Sequence, residues 1–224
     1  MVDFQKAAPV IGAGEGTLSQ NKVLRQTYTL LSMTLLFSAA MAGVAMAVGA
    51  PPIMSLVGTI GGIVILAFVL PRFANSTAGL GLVFAGTGLL GFGLGPILSM
   101  YLALPNGPSI VATAMGGTGV IFLGLSAYVL TTKKDFSFMG GFLMVGLMVV
   151  FGAIILGFFV QMPALQLTIS AAIVLLMSGF ILFDTSRIIN GGETNYILAT
   201  VSLFINIFNL FTALLQLLGI MGDD

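Results

Sequence analysis

Apolar residues in this chain come in long unbroken runs separated by short polar turns. The runs cover Gln26 to Val48, Ile53 to Leu70, Ala78 to Tyr101, Ser109 to Leu130, Ser137 to Val160, Ala164 to Phe183 with an extension to Ile189, and Asn195 to Gly219. None alternates apolar and polar residues with a period of two, so barrel strands are excluded, and the runs match the roughly 20 residues that a helix needs to cross about 30 Å of hydrocarbon. Hydrocarbon offers no hydrogen bonds, so each run must satisfy its own backbone and is predicted to be a helix. The connections are Gly49-Ala50-Pro51-Pro52, Pro71 to Thr77, Pro105-Asn106-Gly107-Pro108, Thr131 to Phe136, Gln161-Met162-Pro163 and Asn190 to Thr194. Links this short make consecutive helices antiparallel neighbours. The expected fold is all-α, a seven-helix membrane bundle over residues 26–219. It is flanked by a flexible cytoplasmic tail over residues 1–25 and a short acidic tail over residues 220–224. The first tail is too short, and too rich in Gly and polar residues, to bury a core.

The last run breaks the apolar pattern. Asn195, Ser202, Asn206, Asn209 and Gln216 follow one another at helical spacing and so share one face. At about 1.5 Å per residue, Asn206 lies roughly 17 Å from Asn195, near mid-membrane. A polar seam at that depth implies a central last helix, because amides turned toward lipid lose their partners. The seam serves either as glue between helices or as the lining of a wet path.

Just upstream, Asp184, Arg187 and Glu193 cluster around the turn Asn190-Gly191-Gly192. An ionised Asp at the bilayer centre costs at least roughly 2.5–3.5 kcal/mol, less near the interface, so such a residue faces protein or water. Two readings of Asp184 stand side by side: an intrahelical pair with Arg187, three residues on, or a carboxylate in a cytoplasm-facing vestibule whose protonation alters helix contacts.

Charge orients the bundle. Lys6, Lys22 and Arg25 precede the first run, Arg72 follows the second, Lys133 and Lys134 follow the fourth, and Arg187 ends the sixth, while the alternate loops hold no basic residue. Short cytoplasmic loops carry the Lys and Arg, so the N-terminus is expected in the cytoplasm and the Asp223-Asp224 end outside. Ala45-Met46-Ala47 resembles a signal-peptide cleavage site, but the first run exceeds the 7–15 residues of a signal peptide's apolar core.

Composition agrees: 58% of residues are hydrophobic and 6% charged, far from the roughly 25% charged of soluble domains. Cysteine and histidine are absent, which removes disulfides, thiolate nucleophiles and imidazole ligands. The formal net charge is zero, and the scattered basic residues give no nucleic-acid footprint. No Ser-Lys or paired-carboxylate arrangement supports catalysis, so neither an enzyme nor a cofactor is expected.

Of the 30 glycines, several stand at small-xxx-small spacing: Ala39, Gly43 and Ala47, Gly58 and Gly62, and Gly91 and Gly95. Such positions let helix backbones approach closely. Gly86-Thr87-Gly88-Leu89-Leu90-Gly91 spells the dinucleotide-binding pattern G-x-G-x-x-G, yet it lacks the preceding strand and the later acid and sits inside an apolar run. Pro96 is expected to kink the third helix, and Ser137 to cap the fifth.

These features together resemble the Bax inhibitor-1 family, also called the transmembrane Bax-inhibitor-motif family. The likeness lies in the seven-span layout, the FDTSRI end of the sixth helix, the NGGETNY turn and the SLFINIFNLFTALLQLLG helix. It extends through NKVLRQTYTLLSMTL, LGPILSMYL, SAYVLTTKKDFSFMGG and QMPALQLTIS. The match is closer to the bacterial YccA-like branch. The resemblance implies an inner-membrane protein with a central last helix that binds and inhibits an FtsH-type AAA protease and its membrane partner complex, and is also its substrate. In the family's calcium-leak members, two aspartates share a proton and a basic residue on the second helix latches the pore. Asp184 matches the first aspartate, Asn206 stands where the second would be, and Arg72 is the candidate latch. A pH-sensitive calcium or proton leak is therefore the alternative expectation, weakened because an amide cannot titrate.

Overall fold

The computed structural model describes residues 12–160 and 162–222. Its elements are α1 (Gly12–Ala47), α2 (Ile53–Val64), a π-helical turn (Ile65–Val69), α3 (Leu70–Phe73), α4 (Thr77–Leu102), α5 (Gly107–Thr132), a 3-10 turn (Ser137–Met139), α6 (Gly140–Phe159), α7 (Pro163–Ile189) and α8 (Tyr196–Met221). Among the described residues there is no strand. Seven helices among those residues are long and apolar enough to cross a membrane, α2 and α3 forming one of them together with the π turn. The chain begins its helix earlier than expected, since α1 reaches back from Gln26 to Gly12. The residues before Gly12, Gln161 and the Asp223-Asp224 end lie outside the described residues.

The π turn has a local cause. Pro71 offers no N–H, and its ring would clash with the carbonyl four residues back, at Ala67. The helix widens there, and Leu70 N–H reaches back five residues to Ile65 O. Pro96 also lies inside a helix, and α4 continues through it to Leu102. Ser137 does not cap by its side chain: its N–H donates to Asp135 Oδ1 at 2.8 Å, so the capping oxygen comes from the residue two positions earlier.

Burial is uneven. In α8, 56% of the most apolar stretch is buried, against 6% in the Ser137–Phe159 span that contains α6. Helix α8 packs on α7, α5, α1 and α4, whereas α6 rests chiefly on α7. The main core cluster joins Leu203, Phe204 and Leu210 of α8 to Ile181 and Ile188 of α7, Leu31 of α1 and Leu66 of the π turn.

The α1–α4 and α2–α4 contacts are the most extensive in the bundle, and glycine makes both possible. A Cβ added at Gly58 would lie 2.6 Å from Leu89 O and 2.7 Å from Gly93 Cα, both backbone. One at Gly91 would collide with the Ser38 carbonyl. The G-x-G-x-x-G stretch is thus a row of packing notches, with Gly86 against Leu66, Gly88 against Phe37 and Gly91 against Ser38. On α1 the expected trio is displaced: a Cβ at Gly43 would meet nothing within 4 Å, while Ser38, Ala42 and Ala45 face Gly91 and Gly95. The contact face lies beside that trio, because several small residues crowd this part of α1.

Candidate functional site

Asp184 lies just before the end of α7 with 6% of its surface exposed. Its Oδ2 accepts two hydrogen bonds from α8, from Ser202 Oγ at 2.6 Å and from Asn206 Nδ2 at 2.7 Å. The two donors stand four residues apart, one turn of helix, so they present themselves to α7 together. Short bonds from two neutral donors are how a buried carboxylate is held where water is scarce. Asn206 is itself 6% exposed.

Of the two readings of Asp184, the intrahelical pair with Arg187 is not formed. Arg187 lies 3.6 Å from Glu193 Oε2, donates to Gly192 O at 3.1 Å and sets its guanidinium 5.6 Å from the centre of the Phe183 ring. The cause is the turn after α7. Gly191 adopts a φ of +78°, which favours glycine. Gly192 N–H and Glu193 N–H then fold back onto Arg187 O, which brings the Glu193 carboxylate to the guanidinium while Asp184 faces inward. Asp184, Arg187, Ile188, Glu193, Ala199 and Ser202 enclose a cavity of about 20 Å³, room for about one water. Arg72 stands exposed in the last turn of α3, and Arg187–Glu193 is the one ion pair among the described residues.

The polar seam divides into parts with different partners. Asn195 caps α8 through Oδ1, which accepts from Ile197 N–H and Leu198 N–H. Its Nδ2 donates to Ala74 O at 3.1 Å and Asn75 Oδ1 at 2.8 Å, tying α8 to the turn before α4. Ser202 and Asn206 serve Asp184, Asn209 is half-buried, and Gln216 is exposed. A straight helix drifts about 20° per heptad, so a row that begins facing inward at Asn195 has turned by roughly 60° at Gln216. Two polar contacts had no signal in the sequence. Thr200 Oγ1 donates to Thr27 O at 3.2 Å, joining α8 to α1, and buried Ser186 accepts from Phe136 N–H at 2.8 Å, joining α7 to the loop after α5. Single hydroxyls in apolar runs carry no periodicity.

These bonds gather the turn after α3, the Lys133-Lys134 loop and the turn after α7 at one end of the bundle. Asp135, in that loop, accepts from the Ser137 hydroxyl and N–H, which hold its carboxyl below the usual carboxylate range. Among the described residues no group of three or more His, Cys, Asp or Glu could hold a metal ion.

Residues 20–223 match the family described as inhibitor of apoptosis-promoting Bax1. A Vibrio cholerae protein described as an uncharacterized membrane protein is 54% identical over 210 residues, covering 94% of each chain. A Pseudomonas aeruginosa protein is 49% identical over 205 residues, covering 90% of each. An Escherichia coli K12 protein named modulator of FtsH protease YccA is 50% identical over 210 residues, covering 92% of this chain and 94% of its own. With its seven apolar helices and a match spanning nearly all of its length, the chain is a membrane protein that belongs to the Bax inhibitor-1 family.

Proposed function

We propose that this protein sits in the bacterial inner membrane and binds and inhibits an FtsH-type AAA protease, acting by association rather than catalysis and serving also as a substrate. The observation that carries this reading is the likeness, over 92% of this chain, to the Escherichia coli relative named modulator of FtsH protease. In this reading the N-terminus is cytoplasmic, which the clustering of Lys and Arg at one end of the bundle supports. The last helix is central, in keeping with its burial and its four packed neighbours. The cytoplasmic segment over residues 1–25 is the handle that the protease grips, and the membrane domain over residues 26–219 resists extraction. The test is co-purification of the tagged full chain with the protease and its membrane partner complex from inner membranes, with the half-life of a known protease substrate as readout. Deleting residues 2–20 should lengthen the protein's own half-life, and unchanged turnover and inhibition would reject the handle.

A second reading, a calcium or proton leak, is favoured by one observation: Asp184, at the position of the leak members' first aspartate, is buried beside a cavity and held by Asn206. Calcium flux in vesicles, abolished by Asp184→Ala and unaccompanied by protease association, would put this reading first.

A further inference from the structure

Gln216, the member of the seam that turned outward, has a counterpart on α7. Gln166 is also exposed, and the two amides line one cleft of about 430 Å³. Ile154 and Phe158 of α6 and Ile169 and Ile173 of α7 supply apolar wall. The cleft opens sideways because α6 rests chiefly on α7 and leaves a gap toward α8. Its volume falls in the range of sites that take small ligands, roughly 300–1,000 Å³.

Depth identifies the occupant. Helices α7 and α8 have 27 and 26 residues, about 40 Å each at 1.5 Å per residue, so they overrun about 30 Å of hydrocarbon by roughly 5 Å at each end. Gln166 is three residues from the start of α7, about 5 Å, and Gln216 five residues from the end of α8, about 8 Å. Both amides therefore stand at the edge of the hydrocarbon, in the leaflet away from the basic loops. The apolar wall descends from there to Ile173, about 15 Å below the start of α7. The level of the amides is that of glycerol esters, whose carbonyls accept hydrogen bonds, and each glutamine offers two N–H donors. No charged side chain lines the cleft, so nothing in it reads a headgroup phosphate.

We propose that this cleft is a binding site for one diacyl phospholipid, with an acyl chain lying between α6 and α8 and the ester carbonyls accepting from Gln166 and Gln216. Recognition is of the ester and the chain, and is indifferent to headgroup charge.

Native mass spectrometry of the full chain in detergent tests this with phosphatidylethanolamine and phosphatidylglycerol, each as the diester and as the matching diether that lacks the carbonyls. One diester lipid should be retained, equally for both headgroups. Retention should fall about threefold to tenfold for the diethers, the yield of one net hydrogen bond. Gln166→Leu with Gln216→Leu should abolish the ester preference without lowering the melting temperature, since Leu suits a lipid-facing position. Ile173→Trp should displace the lipid. Equal retention of diester and diether would overturn the proposal. So would Ile173→Cys, the single cysteine of its chain, cross-linking two copies through the cleft or capturing the protease, because protein would then fill it.

Discussion

Replacing Asn206 with Leu keeps the side-chain size and removes one of the two donors to Asp184. The lost bond is 2.7 Å long, ends on a carboxylate oxygen and lies between residues each 6% exposed, so bulk water does not reach it and the adjoining cavity has room for about one molecule. Hydrogen bonds to charged groups contribute about 1.5–3 kcal/mol, and that is the expected loss of stability. Ser202→Ala removes the companion bond of 2.6 Å and should cost a similar amount. The decisive variant is the double replacement of Asp184 and Asn206 by Leu. Removing both partners of a buried polar contact costs less than the sum of the single losses, because each single variant leaves the other partner buried and unsatisfied, whereas the double variant leaves neither of the two behind. For residues in contact the shortfall is about 0.5–3 kcal/mol. Reversible unfolding in mixed micelles, followed by helical circular dichroism, measures the parent, Asp184→Leu, Asn206→Leu and the double variant, together with Ser202→Ala. If Asn206→Leu cost less than about 0.5 kcal/mol, the size of an ordinary surface change, or if the double variant were additive, the carboxylate would not depend on α8 and the argument for this site would fail.

Three other outcomes follow from the geometry. Gly58→Ala should destabilise by about 1–3 kcal/mol, because the backbone of α4 cannot yield to the new methyl, whereas Gly43→Ala, with open space around it, should be neutral or stabilising by up to about 1 kcal/mol; parallel melting curves compare them. Asp135 has a carboxyl held low by bonds from Ser137, so its stabilisation is present above the unfolded value near ~3.9 and is lost as pH falls through the lower folded value. Asp135→Ala should accordingly be less stable than the parent at neutral pH, with a gap that closes in acid, and a gap constant with pH would contradict that origin. Asn206→Asp supplies the second acid that the leak reading needs; vesicles containing it should pass more calcium than the parent, and equal flux would count against that reading.

The crossing helices were legible because long apolar runs are an unambiguous signal, and the Lys and Arg distribution in the sequence matches the end where the structure gathers those loops. Asn206 and Ser202 could be placed on one face of α8 by spacing alone. That Asp184 is their partner could not, because periodicity gives a direction on a helix but not which neighbour stands there. Local spacing allowed Arg187 as one possible partner of Asp184, and the left-handed backbone at Gly191 gives it Glu193 instead. Gly91 and Gly43 were indistinguishable as letters. The difference lies in whether another backbone passes, a property of the assembled bundle. Ser137 shows the same limit, since which side chain turns toward the free N–H groups is set by the loop and not by the residue type.

The contact between α1 and α4 has a mechanical consequence. A motor that pulls the chain from its N-terminal side loads α1 first, and α1 lies along the glycine notches of α4 in one of the two broadest contacts of the bundle. The strongest resistance therefore comes at the first step of unthreading, before any other crossing helix has moved. Had the same force been applied at α6, the weakly seated helix would have peeled away first and the rest would have followed by degrees.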